Sequence, residues 1–180
     1  MKRLFVCICL LAFAATLSAQ KKPPASPPEK ASVTINGKTI TINYSSPRVK
    51  GREGHIFTKD GLVSHDVHYP VWRAGANAAT TLHTDANLTI GDLNVPAGTY
   101  TLFVDIANPD QWEFIVSKAT GEWGLGYDNT KDLGRTKMTM SKPSHMVEGL
   151  TYTLTHDGGN KGTLTLTWEN KRASVPFTVH

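Results

Sequence analysis

Cysteine is nearly missing from this chain. There are two, Cys7 and Cys9, both within the first twenty residues. From Gln20 onward there is no thiol, hence no disulfide, no thiolate nucleophile and no cysteine metal ligand. A surplus of charge is missing too. The chain has 19 Lys+Arg against 15 Asp+Glu, and setting Lys2 and Arg3 aside leaves 17 against 15, a net of +2. That balance gives no electrostatic footprint for nucleic acid. No window of ten or more residues beyond the N-terminus carries a helical apolar stripe. There is no Gly-x-Ser-x-Gly, no His-Glu-x-x-His and no phosphate loop ending in Gly-Lys-Ser/Thr. Nothing in the sequence calls for a cofactor.

What is present starts with a leader. Lys2 and Arg3 precede an apolar run from Leu4 to Leu17, then Ser18-Ala19, then the polar Gln20-Lys21-Lys22. This is the pattern of a secretory signal peptide over residues 1–19, cleaved after Ala19. The run is shorter than the ~20 residues a spanning helix needs, so no stable membrane anchor is expected after cleavage. The expected compartment is the periplasm or the cell exterior. Residues 20–30 hold four prolines, which lack the amide a strand ladder uses. They read as a mobile tether. Residues 31–180 remain for one domain, enough to build a core without covalent staples.

That domain reads as strands. Val33 and Ile35 alternate with polar residues up to Asn36-Gly37, and Ile40, Ile42 and Tyr44 alternate after it. Asn-Gly tolerates the positive φ of a two-residue hairpin turn. The period of two returns at Tyr100–Ile106, Trp112–Val116, Tyr152–Leu154, Leu164–Trp168 and Val175–Val179. Gly91-Asp92, Pro96-Ala97-Gly98, Asn108-Pro109-Asp110 and Asp157-Gly158-Gly159-Asn160 mark reversals. The fold class expected is all-β: a single antiparallel β-sandwich of about eight to ten strands. Leu102, Val104, Phe114, Leu154, Leu164, Leu166 and Trp168 form its core. A closed barrel is the alternative. Two stretches, 46–70 and 121–134, read as long loops, where function is often carried.

The first loop supplies one constellation. Arg48, Lys50 and Arg52 fall within five residues, and Trp72, Arg73 and Asn77 follow further on. Guanidinium groups offer paired donors to carboxylate, phosphate or sulfate, and tryptophan offers a flat face to a sugar. If the two segments meet, they make a ligand site. If Trp72 is core and Arg73 lies in an internal ion pair, they are structural. Trp123 and Tyr127, on the Gly-rich second loop, are a secondary candidate for a glycan, or a lid folded on the core edge. His55, His65, His68 and His83 are ligand types for a metal but show no metal-site spacing, so none is expected. Glu113, Glu122, Asp105 and Asp128 are carboxylates with no readable pairing.

Ser46-Pro47-Arg48-Val49-Lys50-Gly51-Arg52, Ile56-Phe57, Val71-Trp72-Arg73-Ala74-Gly75-Ala76-Asn77-Ala78-Ala79-Thr80-Thr81, Ile90-Gly91, Pro96-Ala97-Gly98-Thr99-Tyr100-Thr101-Leu102-Phe103 and Trp123-Gly124 occur in this order. Together they resemble DUF2911, a family of exported bacterial domains of unknown function, over about Ser32 to Phe177. The resemblance implies no particular activity. Relatives commonly carry an acidic residue after the asparagine of the Trp-Arg run, whereas this chain has Ala78. A catalytic base at that point in relatives would be missing here. The functional expectation is a non-catalytic module for a small anionic molecule or a glycan. An envelope or extracellular hydrolase and a purely structural envelope protein are the alternatives.

Overall fold

The first hairpin sets the pattern for the fold. The computed structural model describes residues 23–121 and 123–180. In it, β1 (Pro28–Ile35) and β2 (Lys38–Ser45) pair antiparallel, with Ile35 opposite Lys38. Asn36 and Gly37 take φ of 50° and 76° at the turn, the conformation that Asn-Gly allows without Cβ conflict. Ala31, Ile35, Ile40 and Ile42 face inward.

Eleven further strands follow: β3 (Val71–Trp72), β4 (Thr81–Thr84), β5 (Leu88–Ile90), β6 (Leu93–Val95), β7 (Gly98–Asp105), β8 (Glu113–Ser117), β9 (Asp132–Lys137), β10 (Thr139–Ser141), β11 (Val147–Gly158), β12 (Lys161–Glu169) and β13 (Lys171–Val179). One sheet runs β1-β2-β4-β7-β8-β9, with β3 also on β7; the other runs β11-β12-β13-β5-β6, with β10 on β13. All pairings are antiparallel, and the sheets face each other as an open sandwich. β1 approaches β11 along one edge, and β6 approaches β9 along the other. No α-helix occurs among the described residues, and no helix there is long and apolar enough to cross a membrane. The strand number exceeds the expected eight to ten because short pieces such as β3, β6 and β10 have no alternation long enough to read from sequence.

The seven residues expected in the core are all buried. Leu166→Ala at such a position removes buried methyl groups and leaves a cavity, at about 2–5 kcal/mol. The signal-peptide reading of 1–19 lies outside the described residues. The tether reading of 20–30 needs correcting at its C-terminal end. Pro28, Glu29 and Lys30 pair with Ser45, Tyr44 and Asn43. Pro28 is tolerated because it opens a strand at the sheet edge, where a missing amide breaks no inner ladder.

The loop at 46–70 is polar in composition but anchored from within. Val49, Ile56 and Val63 are buried, and Phe57 sits among Trp72, Trp112 and Trp168 at centroid distances of 5.6, 4.9 and 5.6 Å. Trp72 stacks on Trp168 at 5.8 Å and 19°. The buried Glu169 carboxylate accepts the Gly54 amide. Such a loop, packed by its own side chains across the end of a sandwich, is a fixed platform.

Candidate functional site

Both segments of the first constellation are held by backbone bonds to the sandwich. Val49 N–H donates to the Glu148 carbonyl at 2.8 Å, Leu150 N–H to the Pro47 carbonyl at 3.0 Å, and Arg48 bridges Gly149. Lys50 (φ 49°) and Gly51 (φ 74°) turn the chain back so that Arg48 and Arg52 lie on one side. In the second segment, Ala76 N–H donates to the Ser45 carbonyl, and Tyr152 donates its hydroxyl to the Ala74 carbonyl. Ala74 and Asn77 take φ of 48° and 58°. Three of the five non-glycine residues with positive φ among the described residues thus flank one spot, the kind of over-determined backbone that clusters at sites.

The segments meet. Arg48, Lys50, Arg52, Trp72, Arg73 and Asn77 all line one cavity of about 380 Å³, within the range of small-ligand sites. Four of its lining residues are cations, and one, Asp66, is a carboxylate. Leu62, Val63, Trp72 and Trp168 give it an apolar wall, and His65 lines it too. Ala25 and Ser26 complete the rim, so the segment before β1 belongs to the site. Asn77 donates its amide to the Ser26 carbonyl at 3.4 Å.

Donors are only partly occupied. Arg48 Nη2 donates to Glu29 Oε1 at 2.8 Å. Arg52 donates Nε to the Val49 carbonyl at 3.0 Å and Nη2 to the Arg48 carbonyl at 2.7 Å. Arg73 donates Nε to Asp66 Oδ2 at 2.9 Å. Among the described residues, Arg52 Nη1, both terminal nitrogens of Arg73 and Lys50 Nζ make no hydrogen bond to protein.

Trp72 does not offer the stacking face expected of it. It is 3% exposed, with its ring covered by Trp168 and Phe57. It forms the wall of the cavity and the core of the domain together. Arg73 is likewise half-structural: its side chain is 19% exposed and that of Asp66 only 6%. Glu29 and Ser26 carry no sequence signal as site residues, and His65 with the adjacent Asp66 reads there only as a set of metal-ligand types, not as lining of this cavity. The sequence shows only an acid seven residues before Arg73, and another inside a proline-rich stretch.

The second loop lies against the first. Trp123 bridges Ala78. A methyl group on Gly124 would collide with the Asn77 carbonyl, so glycine permits the close approach. Trp123 is 63% exposed. Tyr127 folds back instead, its ring edge on Phe103 at 4.8 Å and its hydroxyl donating to Asp132 Oδ2 at 2.9 Å. Burial, and then the Asp132 partner, push the Tyr127 hydroxyl up to about 12. Phe103, Ile115 and Val71 form a small second core beneath it.

The histidines are spread out. His65 Nδ1 lies 2.9 Å from the Gly61 carbonyl, His68 Nε2 lies 2.8 Å from the Leu125 carbonyl, and His83 lies between Thr99 and Asp85. His55 donates its backbone amide to the Arg52 carbonyl. Asp105 and Glu113 face Arg135, and Asp128 accepts the Thr130 amide. No three His, Asp or Glu side chains converge as a metal site among the described residues.

No curated protein and no solved structure matches the chain. One family model does, that of a protein of unknown function (DUF2911), over residues 26–177. This range begins at Ser26 on the cavity rim, takes in both site segments and ends at Phe177 in the last strand. The chain belongs to the DUF2911 family.

Proposed function

We propose that this domain is a non-catalytic binding module for a small anionic or polyhydroxylated molecule, held in the cavity between the Arg48–Arg52 turn and the Trp72–Asn77 segment. The observation that carries this reading is the charge of the cavity: four cations and a single carboxylate in one concavity with an apolar wall. Asp66 offsets Arg73, and Glu29 offsets Arg48. Among the described residues, Arg52 and Lys50 have no acidic side-chain partner. Guanidinium donors in a partly desolvated concavity favour carboxylate, sulfate or phosphate. We further propose that the domain acts outside the cytoplasm. The basic, apolar and small-residue order of residues 1–19 supports that, and N-terminal sequencing of protein from the cell envelope should begin near Gln20. Recovery of intact Met1 from the cytosol counts against it.

A thermal-shift series with inorganic phosphate, sulfate and sugar acids tests the binding reading. A ligand at a hundred times its dissociation constant adds about 2.7 kcal/mol. No stabilisation by any anion, at low salt, overturns it.

A hydrolase has one observation in its favour, since His65 and Asp66 line the same cavity. The Asp66 carboxylate, however, is occupied by Arg73 Nε and by the His68 amide. Ester or glycoside turnover that disappears in His65→Ala or Asp66→Asn while the fold persists would favour catalysis over binding.

A further inference from the structure

The large apolar side chains left exposed are not scattered. Among the described residues they are Leu62, Val67, Tyr69, Trp123 and Leu125. All five lie on the two long loops, 46–70 and 118–131, and none lies on a strand. The loops are fastened together. His68 Nε2 lies 2.8 Å from the Leu125 carbonyl and 3.3 Å from the Tyr127 amide, and its ring edge meets the Tyr127 ring at 5.7 Å. The Ala78–Trp123 bridge fixes the second loop next to Asn77. Leu62 is itself part of the cavity wall, and Val67 directly follows the lining residue Asp66. The apolar patch and the cationic cavity therefore share a rim.

Singly exposed apolar residues are ordinary, but a cluster at one end of a molecule, beside unpaired cations, marks an interaction surface. Its composition discriminates between partners. A soluble sugar acid can use the indole face of Trp123, but Leu62, Val67 and Leu125 offer it nothing. A bilayer interface uses all of them. Trp and Tyr rings settle at headgroup depth, aliphatic chains reach the acyl boundary, and Arg and Lys meet anionic headgroups.

We propose that this loop face docks reversibly on a membrane surface containing anionic lipids, with the phosphate of one headgroup received in the cavity. The inference rests on reading the cavity as an anion site, and adds the bilayer as the source of the anion. Exposed apolar loop tips supply the burial, and Arg52, Lys50 and Arg73 supply the charge selectivity.

The protein carries its own reporter. Of its four tryptophans, Trp72, Trp112 and Trp168 are 3%, 1% and 1% exposed, and Trp123 is 63% exposed. Trp72 and Trp168 line the cavity but are already shielded from solvent, so a blue shift with loss of acrylamide access on binding reports Trp123. Vesicles of phosphatidylcholine mixed with phosphatidylglycerol should shift the emission to the blue, shield it from acrylamide and co-sediment the protein. Phosphatidylcholine vesicles should do none of these. Val67→Asp and Leu125→Asp, both at exposed positions, should abolish co-sedimentation without moving the melting temperature. Lys50→Gln should weaken it on the order of fivefold, the share of one cation near an anionic surface. Inorganic phosphate separates the two readings. Stabilisation by phosphate with no response to anionic vesicles overturns the membrane inference and leaves the anion cavity standing. Vesicle binding indifferent to lipid charge or to Val67→Asp also overturns it. An emission shift with a soluble anionic polysaccharide but not with vesicles assigns the face to a glycan instead. Failure of both phosphate and vesicles removes the cavity reading and this inference together.

Discussion

Two arginine clusters on this domain use the same chemistry to opposite ends. On the outer face of β8 and β9, Arg135 donates Nε to Asp132 at 3.3 Å, Nη1 to Asp105 at 3.1 Å and Nη2 to the Tyr127 hydroxyl at 2.6 Å. All three nitrogens are engaged, and acids outnumber the cation. At the loop end, Arg52 keeps one terminal nitrogen and Arg73 both without a protein partner among the described residues, and cations outnumber the acid in the cavity lining. The first cluster pins the Gly-rich loop to the sheet. The second surrounds an opening. Unused donors in a concavity, more than the presence of arginine, are what distinguish a binding surface from a structural clasp.

The largest effect expected is on the wall the cavity shares with the core. Trp72→Ala removes a buried indole stacked on Trp168 and should cost about 3–5 kcal/mol. Denaturant unfolding measures it. A loss below about 1 kcal/mol would mean that the cavity end is not continuous with the core.

A paired test sharpens the comparison. Arg73→Ala strands a carboxylate that is 6% exposed and should cost about 1–3 kcal/mol. Anion affinity should fall with it. Arg135→Ala acts at a side chain 34% exposed, where solvent screens the ion pairs, so about 1 kcal/mol or less is expected. Anion affinity should not change. Equal losses of affinity in both variants would erase the distinction between clasp and site. Because Arg73 also has a structural partner, it is a mixed probe. Arg52 also ties the turn through the Val49 and Arg48 carbonyls, so Lys50 is the cleaner one.

These assignments were legible in the sequence to unequal degrees. The core strands were readable because strict alternation leaves one inward face, and Asn36-Gly37 fixed the first register. Convergence of Arg48–Arg52 with Trp72–Asn77 is the condition that the sequence sets for a site, and the cavity is lined by all six residues. Partnership was harder to read. Asp66 and Glu29 reach their arginines across 7 and 19 residues, and nothing in local pattern encodes such a pairing. Trp72 stays open between platform and core in the sequence because a short strand gives no alternation from which to infer which way a ring points. Alternation along β7 and β8 points out one core face only, yet Phe103 and Ile115 on the other face are also buried, beneath Tyr127. That cover comes from a loop whose glycines carry no hydrophobic pattern.

The clasp has a pH signature. With its folded value at about 12, Tyr127 holds its proton more tightly folded than unfolded, where tyrosine titrates near about 10. The stabilisation is complete below the unfolded value and is lost as pH rises through the folded one. Stability should therefore fall between about pH 10 and pH 12. Other tyrosines contribute in the same direction, since burial also raises Tyr44, Tyr100 and Tyr152. The share of Tyr127 is the difference between wild type and Tyr127→Phe, measured as denaturant midpoints across that window. Parallel curves would show that the hydroxyl is not held as described.

The smallest stability effect should accompany the most selective binding effect. Lys50 is exposed, makes no side-chain hydrogen bond among the described residues, and is anchored only through its amide on Glu148 Oε1 at 2.9 Å. Lys50→Gln preserves that amide and keeps a polar side chain one atom shorter, so stability should change by less than about 0.5 kcal/mol. The ammonium group is nevertheless one of two cavity cations that have no acidic side-chain partner among the described residues. Removing it should weaken phosphate or sulfate binding by about 0.5–1 kcal/mol, the scale of a solvent-exposed ion pair. Because that contribution is screened, the gap between variant and wild type should narrow as salt rises. Thermal shift against anion concentration at low and high ionic strength reads both quantities. An unchanged affinity at low salt would show that the surplus charge at the loop end does not act on a bound anion, and the contrast with Arg135 would then be one of exposure alone.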